Sequence, residues 1–301
     1  MRELVVISGK GGTGKTSLVA SFAALAGDAV LADCDVDAAD LHLIVAPDVK
    51  ERHEFRSGHE AVIRQPDCTG CGACLQLCRF GAVRADDGTA GETEFYVDPT
   101  ACEGCGVCVR FCPAGAIDFP ERSCGEWFVS DTRLGPMVHA RLGVAAENSG
   151  KLVSVVRKKA REVAAERGRP LILVDGPPGI GCPVIASMTG ASGVLAVTEP
   201  TLSGDHDLKR VLGLGRHFGI SATVCVNKWD IAPRMTVQIE NAAARAGATV
   251  AGRIPYDRAF TDAMIQGATV VEHQHDGAAS AIRRVWSFVS EELAWTGRSG
   301  K

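Results

Sequence analysis

Gly9, Gly14, Lys15 and Thr16 stand in the order G-x-x-x-x-G-K-[ST], and the chemistry of that order is phosphate binding. Gly11, Gly12 and Gly14 let backbone N–H groups close around phosphate oxygens at a helix N-terminus. Lys15 neutralises the β- and γ-phosphates, the Thr16 hydroxyl is placed to ligate Mg²⁺, and Thr13 and Ser17 complete the nucleotide-binding set. A second chemistry comes from cysteine. Of twelve cysteines, eight fall in two tight runs, Cys68, Cys71, Cys74, Cys78 and Cys102, Cys105, Cys108, Cys112, each spaced C-x2-C-x2-C-x3-C. In a large chain with an intracellular character, such runs read as metal ligands rather than as a disulfide scaffold.

The spacing resembles the bacterial ferredoxin run, in which three thiolates hold one [4Fe–4S] cluster and the fourth reaches across to the other. The resemblance implies one cluster on Cys68, Cys71, Cys74 and Cys112, and a second on Cys78, Cys102, Cys105 and Cys108. Structural zinc is the alternative, but zinc sites usually use two separated C-x2-C pairs. The residues after each run match as well, Gly81-Ala82-Val83 against Gly115-Ala116-Ile117 at a constant offset, which indicates a duplicated half-module. The halves differ in one place: Pro113 follows Cys112, whereas Arg79 follows Cys78. A guanidinium near a cluster would favour its reduced form and raise its potential.

The early lysine of Lys10-Gly-Gly-Thr-Gly-Lys15-Thr16 resembles the deviant Walker A motif of the MinD/ParA class of ATPases. That resemblance implies Mg-ATP hydrolysis in a dimer, with Lys10 crossing the interface to the partner's nucleotide. Asp33-Cys34-Asp35 is similar to the switch I of the class and Asp175 to Gly179 to its switch II. By that match Asp35 orients the attacking water, Asp33 supports the Mg²⁺ site and Asp175 contacts the metal. Asn227-Lys228 and Ile254-Pro255-Tyr256-Asp257 resemble adenine-contacting segments of the class.

The elements that must position these residues follow from hydrophobic periodicity. Leu4 to Ser8, Ala29 to Ala32, Leu171 to Val174, Gly193 to Thr198, Thr223 to Val226 and Thr249 to Ile254 are short apolar runs of the kind buried parallel strands require. Helical stretches at Lys15 to Leu25, Leu152 to Glu166 and Asp205 to His217 alternate with them. The expected fold is α/β, a doubly wound, mostly parallel P-loop NTPase sheet carrying a small inserted ferredoxin-like α+β domain. The expected boundaries are 1–56 and 121–301 for the ATPase domain and 57–120 for the insert.

The composition, 46% hydrophobic and 23% charged with a net charge of -4, is that of an ordinary globular protein and carries no basic excess for a nucleic-acid partner. With no apolar run of about 20 residues and no signal-peptide pattern, the cytoplasm is the expected compartment. Ala281 to Trp295 places Ile282, Val285, Trp286 and Val289 on one helical face, expected to dock on the protein's own core rather than to hold a membrane stably. Cys34 and Cys225 read as packing residues, Cys124 stands without ligand spacing, and Cys182 lies where the nitrogenase iron protein carries a cluster ligand. The leading functional expectation is an ATPase that couples a nucleotide-driven dimer switch to electron transfer with a protein partner, as a homodimer or with a paralogous subunit. A cofactor-assembly ATPase and a redox-sensing positioning ATPase are the alternatives.

Overall fold

The computed structural model describes residues 1–87, 93–143, 149–220 and 222–294. The chain divides into two compact units. One comprises Met1–His53, Trp127–Arg141 and the chain from Ser149; the other is Glu54–Glu126 with a short return.

The first unit opens with β1 (Arg2–Ser8), α1 (Lys15–Ala26), β2 (Ala29–Asp33) and α2 (Leu41–Val45), and the long strand β3 (Asp48–His59) begins in it and ends in the second. The second unit holds β4 (Val62–Ile63), α3 (Ala73–Leu77), β5 (Val83–Asp87), β6 (Thr93–Val97), α4 (Val107–Arg110) and β7 (Ile117–Asp118). The chain returns through β8 (Glu121–Thr132), β9 (Gly135–Leu142), α5 (Ser149–Glu166), β10 (Leu171–Pro178), α6 (Cys182–Met188) and β11 (Gly193–Thr198). It ends with α7 (Leu202–His217), β12 (Ala222–Asn227), α8 (Pro233–Arg245), β13 (Thr249–Ile254), α9 (Ala259–Ile265), α10 (Val270–His273) and α11 (Ala278–Glu292).

Nine strands form one sheet in the order β13-β12-β11-β1-β10-β2-β9-β8-β3. From β13 through β9 every neighbouring pair is parallel. β1, β2 and β10 are apolar and buried almost end to end, because helices cover both faces and no solvent side exists to select polar residues. From β1 the chain moves to β2 on one side, and from β10 it moves to β11 on the other, so the carboxyl ends of β1 and β10 open a crevice where ligands bind in such sheets. The core lies under α1 and α11, with the Phe22 and Trp286 rings 5.1 Å apart. Helix α11 buries Ile282, Val285, Trp286 and Val289 there; Trp295, the last residue of that stretch, lies outside the described residues.

β3 and β8, each twelve residues, are strands that the apolar pattern did not reveal. β3 reads Asp48-Val-Lys-Glu-Arg-His-Glu, an exposed edge whose side chains are charged on both faces. Such a strand carries no hydrophobic period.

The second unit repeats itself at a shift of 34 residues, Cys68 to Cys102 and Cys78 to Cys112. β4 pairs antiparallel with β7 through Val62–Asp118 and Ile63–Ile117, and β6 pairs with β5 through Tyr96–Arg84 and Val97–Val83. Each residue of the first pairing has its shifted counterpart in the second. The two halves therefore exchange strands, and a duplicated sequence has become an approximate two-fold.

Candidate functional site

The loop from Gly9 to Gly14 follows β1 directly and feeds α1. Gly12 and Gly14 have φ of 76° and 89°, and Gly14 caps α1 in the left-handed conformation that leaves amides free at the helix start. A Cβ at Gly14 would lie 2.6 Å from Asn227 Nδ2, which donates to the Thr13 carbonyl at 2.8 Å. Asn227 thus holds the loop in place from the end of β12. Lys15 is buried at 5% exposure with Nζ 3.5 Å from Asp35 Oδ2, and Thr16 and Ser17 follow it on the first turn of α1.

Two carboxylates face this loop from neighbouring strands. Asp33 ends β2 and Asp175 lies in β10, and the two are register partners. Both are fully buried. Asp33 Oδ1 accepts the Asp35 amide at 3.2 Å, but Asp33 Oδ2 and both Asp175 oxygens have no hydrogen-bond partner among the described residues. Burial raises the Asp33 carboxyl well above its usual range, and the Asp175 charge adds to that. Burial pushes Asp175 up to about 6, against the pull of Lys15 and the nearby Thr16 hydroxyl. Asp35 is raised by burial as well, with Lys15 opposing. Two buried, mutually repelling carboxylates with three oxygens left unpaired beside a phosphate loop are what a divalent cation would neutralise, so the donor set fits Mg²⁺.

On the other side of the loop, Lys10 is ion-paired with Glu199 and donates to Ser203 Oγ at 3.2 Å and more weakly to Thr201 Oγ1 at 3.5 Å. Glu199 also takes Lys228 at 3.1 Å, and Lys228 donates to the Gly12 carbonyl at 3.2 Å. Burial raises the Glu199 carboxyl, but its two lysines more than offset this and hold it below the usual value. Sequence reasoning missed Glu199, although it directly follows the apolar run of β11. The Tyr256 amide donates to Asp230 Oδ1 at 2.7 Å, and Asp257 accepts from the Ala259 amide and from Gln274 Nε2.

The second unit gathers the clustered cysteines. Cys68, Cys71, Cys74 and Cys112 line one cavity together with Ile63 and Phe95, so three thiols of the first run meet the fourth thiol of the second. Cys78, Cys102 and Cys108 pack against the same small core, built on Ala61, Val83, Phe95 and Ile117. Cys71 and Cys105, at equivalent places in the two runs, are exposed. The repeat extends to the backbone: Gly70 and Gly72, like Gly104 and Gly106, have φ between 60° and 71°, which turns the loop tightly around each run. Burial raises the Cys78 thiol, but the amides of Val83, Phe80, Ala82 and Gly81 aimed at it lower it further, and it ends below its ordinary value. The Ala116 amide donates to Cys112 Sγ at 3.4 Å. Among the described residues, no three or more His, Cys, Asp or Glu side chains are grouped to hold a single metal ion.

Of the remaining cysteines, Cys34 and Cys225 are buried, and burial pushes the Cys225 thiol up to about 12. Cys124 is buried and donates to the Ser57 carbonyl at 3.1 Å, while Cys182 is exposed at the start of α6.

The family model of the CobQ/CobB/MinD/ParA nucleotide binding domain matches residues 4–270. The chain belongs to that family. It is a family of nucleotide-binding ATPases, and the loop, the buried carboxylates and the parallel sheet lie within the matched span. Two uncharacterized proteins of Methanocaldococcus jannaschii are similar to this chain. One is 34% identical over 231 residues, 75% of this chain and 78% of the relative. The other is 22% identical over 282 residues, 91% and 94% of the two chains. Among solved structures, the fold is shared with the MinC:MinD cell division complex of Aquifex aeolicus at a TM-score of 0.58 and 18% identity, covering 97% of this chain and 96% of that one. It is shared with MinD of Pyrococcus horikoshii, solved with Mg-ADP, at a TM-score of 0.56 and 15% identity, covering 96% of each. Among the described residues no helix is long and apolar enough to cross a membrane.

Proposed function

We propose that this ATPase hydrolyses Mg-ATP as a dimer, carries two [4Fe–4S] clusters in the segment 57–120, and exchanges electrons with a protein partner. The observation that carries the redox half is the cavity lined by Cys68, Cys71, Cys74 and Cys112, because it joins thiols of opposite repeats in the ferredoxin arrangement. In such a cluster each thiolate binds a different iron, so the requirement is four thiols around one cavity rather than several ligands converging on one ion. Cys78, Cys102, Cys105 and Cys108 form the companion set. When bound, the clusters supply one-electron transfer at low potential.

On the nucleotide side, the amides of Gly11 to Gly14 cradle the phosphates and Lys15 pairs with the β- and γ-phosphates. Thr16, Asp33 and Asp175 are the residues that would hold Mg²⁺. Asp35, already beside Lys15, orients the attacking water. Lys10 leaves Glu199 to reach the nucleotide of the second subunit, identical or paralogous. Reduced, metal-binding thiols suit the cytoplasm.

Anaerobic purification with iron, sulfide and ATPase assays tests both halves, and about eight irons and eight sulfides per chain are expected. Stoichiometric zinc in their place would refute the redox reading while leaving the ATPase standing. Redox titration with and without a non-hydrolysable ATP analogue then tests coupling. A tenfold change in nucleotide affinity on reduction requires a shift of ~60 mV in a one-electron potential, and identical potentials would mean two independent modules.

A further inference from the structure

We propose that the edge strand β3 is a self-recognition surface, pairing antiparallel with β3 of a second copy of this chain about a two-fold through Arg52. β3 closes one end of the nine-stranded sheet and has β8 as its neighbour in the strand order. It is exposed from Asp48 through Glu54. An edge exposed over these seven residues presents a row of backbone donors and acceptors, the usual template for strand addition.

The charges determine what can use it. Side chains two residues apart share a face of a strand, so Asp48, Lys50, Arg52, Glu54 and Arg56 form one row. In a single copy, Lys50 pairs with Asp48, and Arg56 pairs with Glu54 at 2.8 Å, along that row. Exposed pairs of this kind contribute little and exchange partners readily. About a two-fold at residue 52, Asp48 meets the second copy's Arg56 and Lys50 meets its Glu54, each pairing occurring twice, against a single Arg52–Arg52 contact on the axis. On the opposite face Glu51 meets His53.

Other registers gain less from their charges: centring the axis on Lys50 keeps only Asp48 against Arg52, with Lys50 facing itself. Centring it on Glu51 sets Lys50 against Arg52 and Asp48 against Glu54, and centring it on His53 sets Lys50 against Arg56, which cancels the gain of Arg52 against Glu54. Parallel pairing in register sets each charge against itself. Backbone hydrogen bonds thus supply the attraction, and the charges select one partner and one register. Charged edges are ordinarily a defence against aggregation; this row keeps that defence against the shifted and parallel pairings while admitting the antiparallel one centred on Arg52. A single strand pair lies well below the ~1,600 Å² of a standard interface, so the dimer is weak and concentration-dependent. It needs neither nucleotide nor clusters, which separates it from the ATP-driven dimer.

The test is sedimentation velocity of the nucleotide-free protein over a wide concentration range, together with amide exchange at β3. The wild type is expected to dimerise with rising protection of β3. Lys50→Glu and Glu54→Lys, each placing like charges together twice, are expected to weaken the dimer by about tenfold or more, and Lys50→Glu/Glu54→Lys to restore it. A wild type that stays monomeric, a dimer indifferent to either reversal, or a double variant that fails to recover would overturn the proposal. So would β3 protection that appears only when a different protein is added.

Discussion

Lys10 and Glu199 form an ion pair that Lys228 shares, and Lys228 reaches on to the Gly12 carbonyl. One carboxylate therefore holds both the early lysine and the outer rim of the loop. Glu199→Gln releases Lys10 and is expected to lower the ATP concentration needed for dimer formation, by several-fold in light scattering or sedimentation. Lys10→Ala is expected to keep ATP affinity within about threefold while losing dimerisation and hydrolysis. Equal loss of affinity in Lys10→Ala and Lys15→Ala would argue against a lysine that acts across an interface.

Lys15→Ala removes the buried cation of the loop, and hydrolysis should fall by about a hundredfold or more, with ATP binding weakened in the same variant. Asp175→Asn separates metal from phosphate. Because Asp33 and Asp175 repel each other in a buried site, the variant is expected to be no less stable than wild type without Mg²⁺, but to lose the thermal stabilisation that Mg-ADP confers. Undiminished stabilisation by Mg-ADP would remove Asp175 from the metal site.

Cys71→Ser and Cys105→Ser act on equivalent exposed positions of the two repeats. Each is expected to lower iron from about eight to about four per chain while leaving nucleotide binding intact, because the first unit has its own core. Iron analysis and a nucleotide-binding assay on the same preparation check this. Loss of nucleotide binding in either variant would mean that the units do not fold separately.

His139 gives the fold an acid-sensitive point. It lies in β9 with Nε2 2.8 Å from Ser130 Oγ and its ring stacked on Phe128. Burial, with His42 nearby, pushes it from 6.5 down to about 4. The native state thus favours the neutral ring: the contribution is complete above pH 6.5 and is lost as pH falls toward 4, on the order of 2 kcal/mol. His139→Gln does not titrate, so its urea midpoint should fall less between pH 7 and pH 4.5 than that of wild type. Parallel falls would assign the acid sensitivity to other groups.

Much of the parallel sheet was legible because Leu4 to Ser8 and Leu171 to Val174 can be buried on both faces only when every side chain is apolar. The loop was legible because Gly14 must yield space to Asn227 and take a left-handed turn. β3 and β8 were not, since solvent accepts charge on both sides of an edge strand and erases the period. Glu199 was hidden for another reason: a carboxylate that serves by pairing with Lys10 and Lys228 has no fixed spacing from either in the chain. Asn227 was found, but its grip on Thr13 depends on where β12 ends in space, which no local pattern carries.

β1 lies between β10 and β11, with Leu4 opposite Leu173 on one side and Gly193 on the other. β1 therefore waits until β10 and β11, far along the chain, have been made before either neighbour exists. The sheet cannot grow outward from β1 as the chain emerges, and the phosphate loop waits for support until those later strands exist. Contacts this distant in sequence make folding slow. The unit between β3 and β8 contains its own pairings and can form during that delay, so the order of synthesis favours a finished second unit on an unfinished ATPase.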